Sequence, residues 1–127
     1  PAKIYVTLGS NGIAWISADN MAEMYDAFLT ALMEQNPDAT VYLCSIPPVT
    51  SGKEASDSRY NNDQIVAFNQ HVQELAQKHG TYFLDIYSIM ADDSGNLGAD
   101  VAEVDGLHLK ASAYETIVDY FLTHTAQ

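Results

Sequence analysis

The chain has 127 residues, enough for one domain with a buried core, and its 47% hydrophobic content indicates a folded globule. Five Lys and Arg against seventeen Asp and Glu give a formal net charge of −12 at neutral pH. Such a field repels phosphate backbones and anionic lipids, which argues against nucleic-acid and membrane-surface binding. A single cysteine excludes an internal disulfide, and no window approaches the roughly eighteen apolar residues of a membrane span.

The first half of the chain alternates apolar runs with a segment of helical period. The run KIYVTL (3–8) predicts a strand that ends at Gly9. Asn20, with Glu23 in the position that completes a capping box, predicts the start of a helix that Pro37 stops. The run TVYLCSI (40–46) predicts a second buried strand.

The second half repeats this order. Residues 49–61 are polar and turn-rich and predict a loop, and an amphipathic helix then ends at Gly80. The run TYFLDIYSI (81–89) predicts a third strand, and residues 91–100 predict a loop. A last helix follows His108, and Ser112 with Glu115 could form its capping box.

This alternation, with strands that are apolar throughout, indicates an α/β domain in which helices cover both faces of a parallel sheet. Ligands of such sheets gather beyond the carboxyl ends of the strands. The rule nominates Gly9–Gly12, the loop after Pro47, and residues 91–108.

Two short motifs in these places carry possible chemistry. In EVDGLHLKASAYE (103–115), Asp105 and His108 have the spacing that lets a carboxylate orient a general base, although one Asp near one His on a loop is usually coincidence. In LGSNGI (8–13), Asn11 could donate to an oxyanion, and the segment could equally be a plain turn. A phosphate cradle is a third reading, but the Lys and Ser/Thr of a P-loop are absent from this segment.

Together these motifs resemble the G-x-N and D-x-x-H blocks of the SGNH (GDSL-type) hydrolases, and the resemblance spans nearly the whole chain in the right order. Two positions depart from the family pattern, which usually has Asp at Gly12 and often has Ser-Pro at Lys110-Ala111. The resemblance implies a three-layer αβα, flavodoxin-like fold, here a truncated version with about three strands.

The resemblance also implies roles for individual residues. His108 would accept the proton of a serine hydroxyl, and Asp105 would hold its imidazole in one tautomer. Asn11, with Gly9 of the same block, would bind the oxyanion. The family uses no metal or other cofactor, and this sequence has no H-E-x-x-H motif and no paired cysteines.

The nucleophile is the part that this sequence lacks. The family's serine lies in a G-D-S block well upstream of the G-x-N block, and no G-D-S occurs among residues 1–127. We therefore expect the chain to be the C-terminal portion of one domain, inactive alone, with Ser10 as a poor internal substitute. The apolar strand Ile4–Leu8 would then pair with the missing N-terminal part or with a second copy.

Two functions from different classes follow. The first is a serine ester hydrolase that forms an acyl-enzyme and acts on a small-molecule ester. The alternative is a non-catalytic three-layer α/β domain that binds a small ligand or a partner in the same crevice. Residues 49–61 are polar and include Tyr60, which mildly favours a short-acyl or carbohydrate ester as the substrate.

Overall fold

Three short parallel strands form the sheet of the chain. The computed structural model describes residues 2–10 and 12–124. Its strands are β1 (Lys3–Val6), β2 (Thr40–Cys44) and β3 (Tyr82–Leu84), in the order β1-β2-β3 with every pairing parallel. The register places Tyr42 beside both Tyr5 and Tyr82, and the ring centroids of these neighbours lie 4.8 Å and 5.2 Å apart.

Helices cover both faces of this sheet. The helices are α1 (Ala18–Gln35), α2 (Ser51–Ser56), α3 (Asn62–His79), α4 (Ile86–Met90) and α5 (Ala111–His124). Side chains alternate along β2: Val41 and Leu43 enter a core with α1 and α3, whereas Tyr42 and Cys44 enter a second core with α4 and α5. The predicted α/β arrangement, a parallel sheet covered on both faces, is confirmed.

The start of α1 differs from the prediction at Asn20. The helix begins at Ala18, and its cap is Ser17, whose hydroxyl accepts the backbone N–H of Asn20 at 3.2 Å. Ser17 is itself a strong capping residue and lies three positions before Asn20. Because its hydroxyl accepts a free N–H of the first turn, the helix starts after Ser17 and Asn20 lies within that turn. The stop before Pro37 is as expected, because α1 ends at Gln35.

The predicted third strand, residues 81–89, is only partly a strand. After β3 the chain turns into α4, because Asp85 caps that helix by accepting the backbone N–H of Ser88 at 3.1 Å. The hydroxyl of Ser45 reinforces the turn by accepting the backbone N–H of Tyr87 at 2.9 Å. The segment 49–61, predicted as loop, contains the short helix α2, which Thr50 caps at the backbone N–H of Lys53 at 3.1 Å.

Strand β1 lies at an edge of the sheet. Among residues 2–10 and 12–124, β1 pairs only with β2, so its other side is an open edge. Leu8, which follows β1, lines one depression with Met24 and Phe28 of α1, and the three residues are 42%, 60% and 44% exposed. The second predicted helix ends as expected, with Gly80 in the left-handed conformation at φ 68°. Within the described residues, no helix has the length and apolar character to cross a bilayer.

Candidate active site

The Asp105–His108 segment folds into a tight loop that brings both side chains together. Nδ1 of the His108 imidazole hydrogen-bonds to Oδ2 of Asp105. The other carboxylate oxygen, Oδ1, accepts the backbone N–H groups of Leu107 and His108, each at 2.9 Å. Because both oxygens of Asp105 are engaged, the carboxylate is fixed in place and in turn fixes the imidazole ring. The His108 side chain is 66% exposed, so its Nε2 edge is accessible.

Gly106 fastens this loop to the start of α2. Its φ of +71° lies in the left-handed region, and its carbonyl accepts the backbone N–H of Thr50 at 3.0 Å. A Cβ at this position would lie 2.9 Å from Cβ of Lys53 and would also overlap Oγ1 of Thr50. The glycine between Asp105 and His108 is therefore required by backbone conformation and by close packing.

The hydrogen bonds around Asp105 favour its ionised form. The His108 imidazole, followed by the backbone N–H groups of His108 and Leu107, holds the pKa of the Asp105 carboxyl well below its ordinary value. Asp105 is therefore a permanent anion at neutral pH. Such an anion can stabilise an imidazolium and fix one tautomer, which is what a partner of a general base has to do.

His108 lies at a cavity of about 430 Å³ between the end of β1 and helix α5. Thr7 and Ser10, which follow β1, line the cavity together with Pro47, which follows β2. The remaining lining is mostly apolar and comes from the segments around α4 and α5: Ile86, Leu107, Leu109, Tyr114, Ile117 and Phe121. The structure thus brings the two predicted motif segments to one cavity.

The oxyanion residues are only partly described. Asn11 lies outside the described residues, so its predicted role stays a prediction. Gly9 adopts a φ of +118°, and its carbonyl accepts the backbone N–H of Ile13 at 3.0 Å, which starts the 3-10 turn Gly12–Ala14. A Cβ on Gly9 would lie 2.6 Å from the ring of Phe68, so this glycine lets the chain after β1 pass close to α3.

Two buried asparagines of α3 hold the segment after β2, and sequence reasoning missed them. The Asn69 amide accepts the N–H of Ile46 at 2.8 Å and donates to the carbonyl of Ile46 at 3.0 Å. Asn62 does the same with Val49, at 2.9 and 3.0 Å, and also donates to Oδ1 of Asn96 at 2.7 Å. Their spacing of seven, which places both amides on the buried face of α3, was the available signal.

Two further Asp–His pairs lie between α1 and α3. Nε2 of His71 bonds to Asp19 at 2.8 Å, and Nε2 of His79 bonds to Asp26 at 2.6 Å. Neither histidine lines the His108 cavity. Within residues 2–10 and 12–124, no group of three or more His, Cys, Asp or Glu side chains could hold a metal ion.

The sequence matches a known protein family. The profile of the GDSL-like lipase/acylhydrolase family matches residues 1–116. The chain belongs to this family. A search of curated protein sequences finds no significant match.

Three solved structures have the same fold as this GDSL-family chain. A Streptococcus pneumoniae protein whose description names platelet activating factor is 25% identical over 97% of this chain, with a TM-score of 0.86. A Bacteroides fragilis protein described as an acylhydrolase is 22% identical over 97%, with a TM-score of 0.78. A lipase/acylhydrolase from Enterococcus faecalis is 20% identical over 97%, with a TM-score of 0.76. The GDSL-family chain spans 59% of the first structure's length and 60% of the other two.

Proposed function

We propose that the protein carrying this chain is a serine ester hydrolase in which His108 is the general base, Asp105 orients it, and Asn11 with Gly9 binds the oxyanion. The nucleophilic serine comes from a part of the domain outside these 127 residues. Support comes from the family match over residues 1–116 and from neighbouring structures, of which the chain spans about three fifths.

The reaction follows from which imidazole nitrogen is engaged. Nδ1 of His108 bonds to Asp105, so Nε2 is the atom that can take the serine proton. The serine oxygen bonds to the ester carbonyl carbon, and the resulting oxyanion is stabilised by the amide of Asn11. This tetrahedral intermediate then collapses. The bond from the carbonyl carbon to the alkoxy oxygen breaks, and the alkoxy oxygen leaves as an alcohol with the proton from His108. Water then loses a proton to His108 and attacks the acyl carbon. The bond from that carbon to the serine oxygen breaks, the serine oxygen takes the proton back from His108, and the carboxylic acid is released.

One observation carries the proposal: the Asp105–His108 pair lies at a cavity that also receives the end of β1. The His71–Asp19 pair has similar chemistry, but it lies between two helices and away from this cavity. Position at the carboxyl ends of the strands therefore distinguishes His108 from the other paired histidines.

The test uses the full-length protein and hydrolysis of p-nitrophenyl acetate. We expect His108→Ala to lower kcat by roughly 10²–10⁴-fold, because it removes the general base. His71→Ala is the matched control, since it breaks an Asp–His pair elsewhere, and it should leave kcat within about twofold. Turnover that persists in His108→Ala would refute the assigned base, whereas no turnover in the unmodified full-length protein would favour a non-catalytic binding domain.

Ser10 requires its own variant, because it lines the same cavity as His108. If the nucleophile lies outside this chain, Ser10→Ala should retain most of the activity. A fluorophosphonate loses fluoride when the nucleophilic serine attacks it and leaves a phosphonyl group on the serine oxygen; loss of this adduct in Ser10→Ala, detected by mass spectrometry, would instead assign the nucleophile to Ser10.

The open edge of β1 is the proposed contact with the remainder of the domain or with a second copy. An open apolar strand edge recruits another strand, and Leu8, which follows β1, shares an exposed apolar depression with Met24 and Phe28. We expect residues 1–127, expressed alone, to associate, and Leu8→Lys to weaken that association. Val104→Lys is the control, because Val104 is fully exposed and far along the chain from β1. A dispersed monomer in native mass spectrometry would contradict this contact.

A further inference from the structure

The one tryptophan of the 127-residue sequence is exposed near the carboxyl ends of β1 and β2. Trp15 directly follows the 3-10 turn Gly12–Ala14 and is 73% exposed. The guanidinium of Arg59, from the segment between α2 and α3, lies over its ring at 4.4 Å from the centroid. At 73% exposure, most of Trp15 remains accessible to a ligand beside the Arg59 guanidinium.

Polar side chains surround this ring. Trp15 and Arg59 line a depression of about 240 Å³, together with Ser17, Ser58, Asn61 and Gln64. Hydroxyl, amide and guanidinium groups around an aromatic face can hydrogen-bond to hydroxyl and acetyl oxygens while the ring packs against C–H groups. Ile13, Ala14 and Ile16 complete the lining, so a sugar ring would find both polar and apolar partners here.

Shared lining residues connect this depression to His108. Ser10 and Leu107 line both the His108 cavity and a narrow cleft beside it, and the cleft also includes Ile13. Ile13 in turn lines the depression under Trp15. The depression under Trp15 is therefore adjacent to the cleft that borders the His108 cavity.

The charge on Arg59 is already neutralised. Its Nε and one terminal nitrogen donate to the two carboxylate oxygens of Asp57 at 2.9 and 2.7 Å. This bidentate contact lowers the pKa of the Asp57 carboxyl to about 2. The overall charge of the chain is also strongly negative. A neutral ligand suits this environment better than an anionic one.

We propose that Trp15 and Arg59 form a stacking platform that binds a pyranose ring in the alcohol half of the ester, so that the substrate is an acylated carbohydrate. This inference rests on the proposed function and adds the substrate class to it. The platform determines specificity and takes no part in bond breaking. Tyr60, whose ring lies 4.8 Å from the ammonium of Lys53, continues the same rim.

Binding is measured without turnover, in the full-length His108→Ala protein. The probe is methyl tri-O-acetyl-xylopyranoside, and its binding is measured by isothermal titration calorimetry, which does not depend on Trp15 as a reporter. We expect saturable binding that Trp15→Ala weakens about five- to tenfold and Trp15→Phe largely retains, because a phenyl ring preserves the stacking face. Equal affinity in His108→Ala with and without Trp15→Ala, or no binding at all, would overturn the platform.

Kinetics in the otherwise unmodified protein separate specificity from structure. Trp15→Ala should raise KM for the acetylated xyloside about five- to tenfold and leave kcat/KM for ethyl acetate unchanged, since ethyl acetate has no sugar ring. An equal loss on both esters would assign Trp15 a structural role and overturn the proposal. If the unmodified protein hydrolyses neither ester but calorimetry shows Trp15-dependent binding, the platform stands and the proposed hydrolase function fails.

Discussion

Replacing Gly106 with alanine tests how the base loop is held. At φ +71°, an alanine pays roughly 1–2 kcal/mol for the left-handed conformation. Its Cβ would also lie 2.9 Å from Cβ of Lys53 and overlap Thr50, and relieving such overpacking costs about 1–3 kcal/mol. The shift would strain the hydrogen bond from the Thr50 N–H to the Gly106 carbonyl. We therefore expect Gly106→Ala to lower the free energy of unfolding by about 2–5 kcal/mol.

Gly80 provides the matched control for this variant. Its φ of +68° is almost the same, but a Cβ there would meet no atom within 4 Å. Gly80→Ala should therefore incur only the conformational cost of about 1–2 kcal/mol. The difference between the two variants isolates the packing of the loop against α2.

The assay is urea unfolding of the full-length protein, with kcat/KM measured on the same preparations. Gly106→Ala should be less stable than Gly80→Ala by at least about 1 kcal/mol, and it alone should lose activity, because only its loop carries Asp105 and His108. Equal destabilisation of the two variants would show that the contact with Thr50 and Lys53 does not constrain the loop, and the reasoning would be wrong.

Three further predictions concern Asp105 and Asn69. Asp105→Asn should lower kcat on an ester substrate by roughly 10²–10⁴-fold with little change in KM, and a change under threefold in steady-state kinetics would contradict its orienting role. Because its folded pKa is depressed, Asp105 contributes stability above its ordinary pKa of about 3.9, and the contribution is lost as pH falls toward the folded value. Urea unfolding should therefore show that Asp105→Asn costs more at pH 6 than at pH 3, and equal costs would contradict this. Asn69→Ala should lower the free energy of unfolding by about 2–4 kcal/mol, against under about 0.5 kcal/mol for the exposed Asn20→Ala.

The covered parallel sheet could be predicted from the sequence because a strand that is buried on both faces requires consecutive apolar residues. Every residue from Val41 to Cys44 is buried, and a run of four apolar side chains in a row is what such burial selects. The end of α3 was equally readable, since Gly80 is the residue that a left-handed helix cap favours.

The misses share a different physical cause. In residues 81–89 the apolar run continues past the strand, and α4 begins there because Asp85 accepts the backbone N–H of Ser88 and Ser45 accepts that of Tyr87. The helix α2 likewise depends on one cap at Thr50 within a polar stretch. Side-chain contacts with the backbone outweigh the hydropathy pattern at such points, and composition does not record them.

The candidate base and the proposed sugar platform are linked through α2. Thr50 caps α2 with its hydroxyl and holds Gly106 with its backbone N–H, so the start of α2 sets the position of the His108 loop. At the other end of α2, the Lys53 carbonyl accepts the backbone N–H of Asp57. The carboxylate of Asp57 in turn accepts hydrogen bonds from the guanidinium of Arg59. A change in residues 51–59 that alters the platform therefore also acts on the loop of the base. Substrate preference and base geometry should consequently change together when this short helix is altered, whereas the Trp15 side of the platform can vary independently.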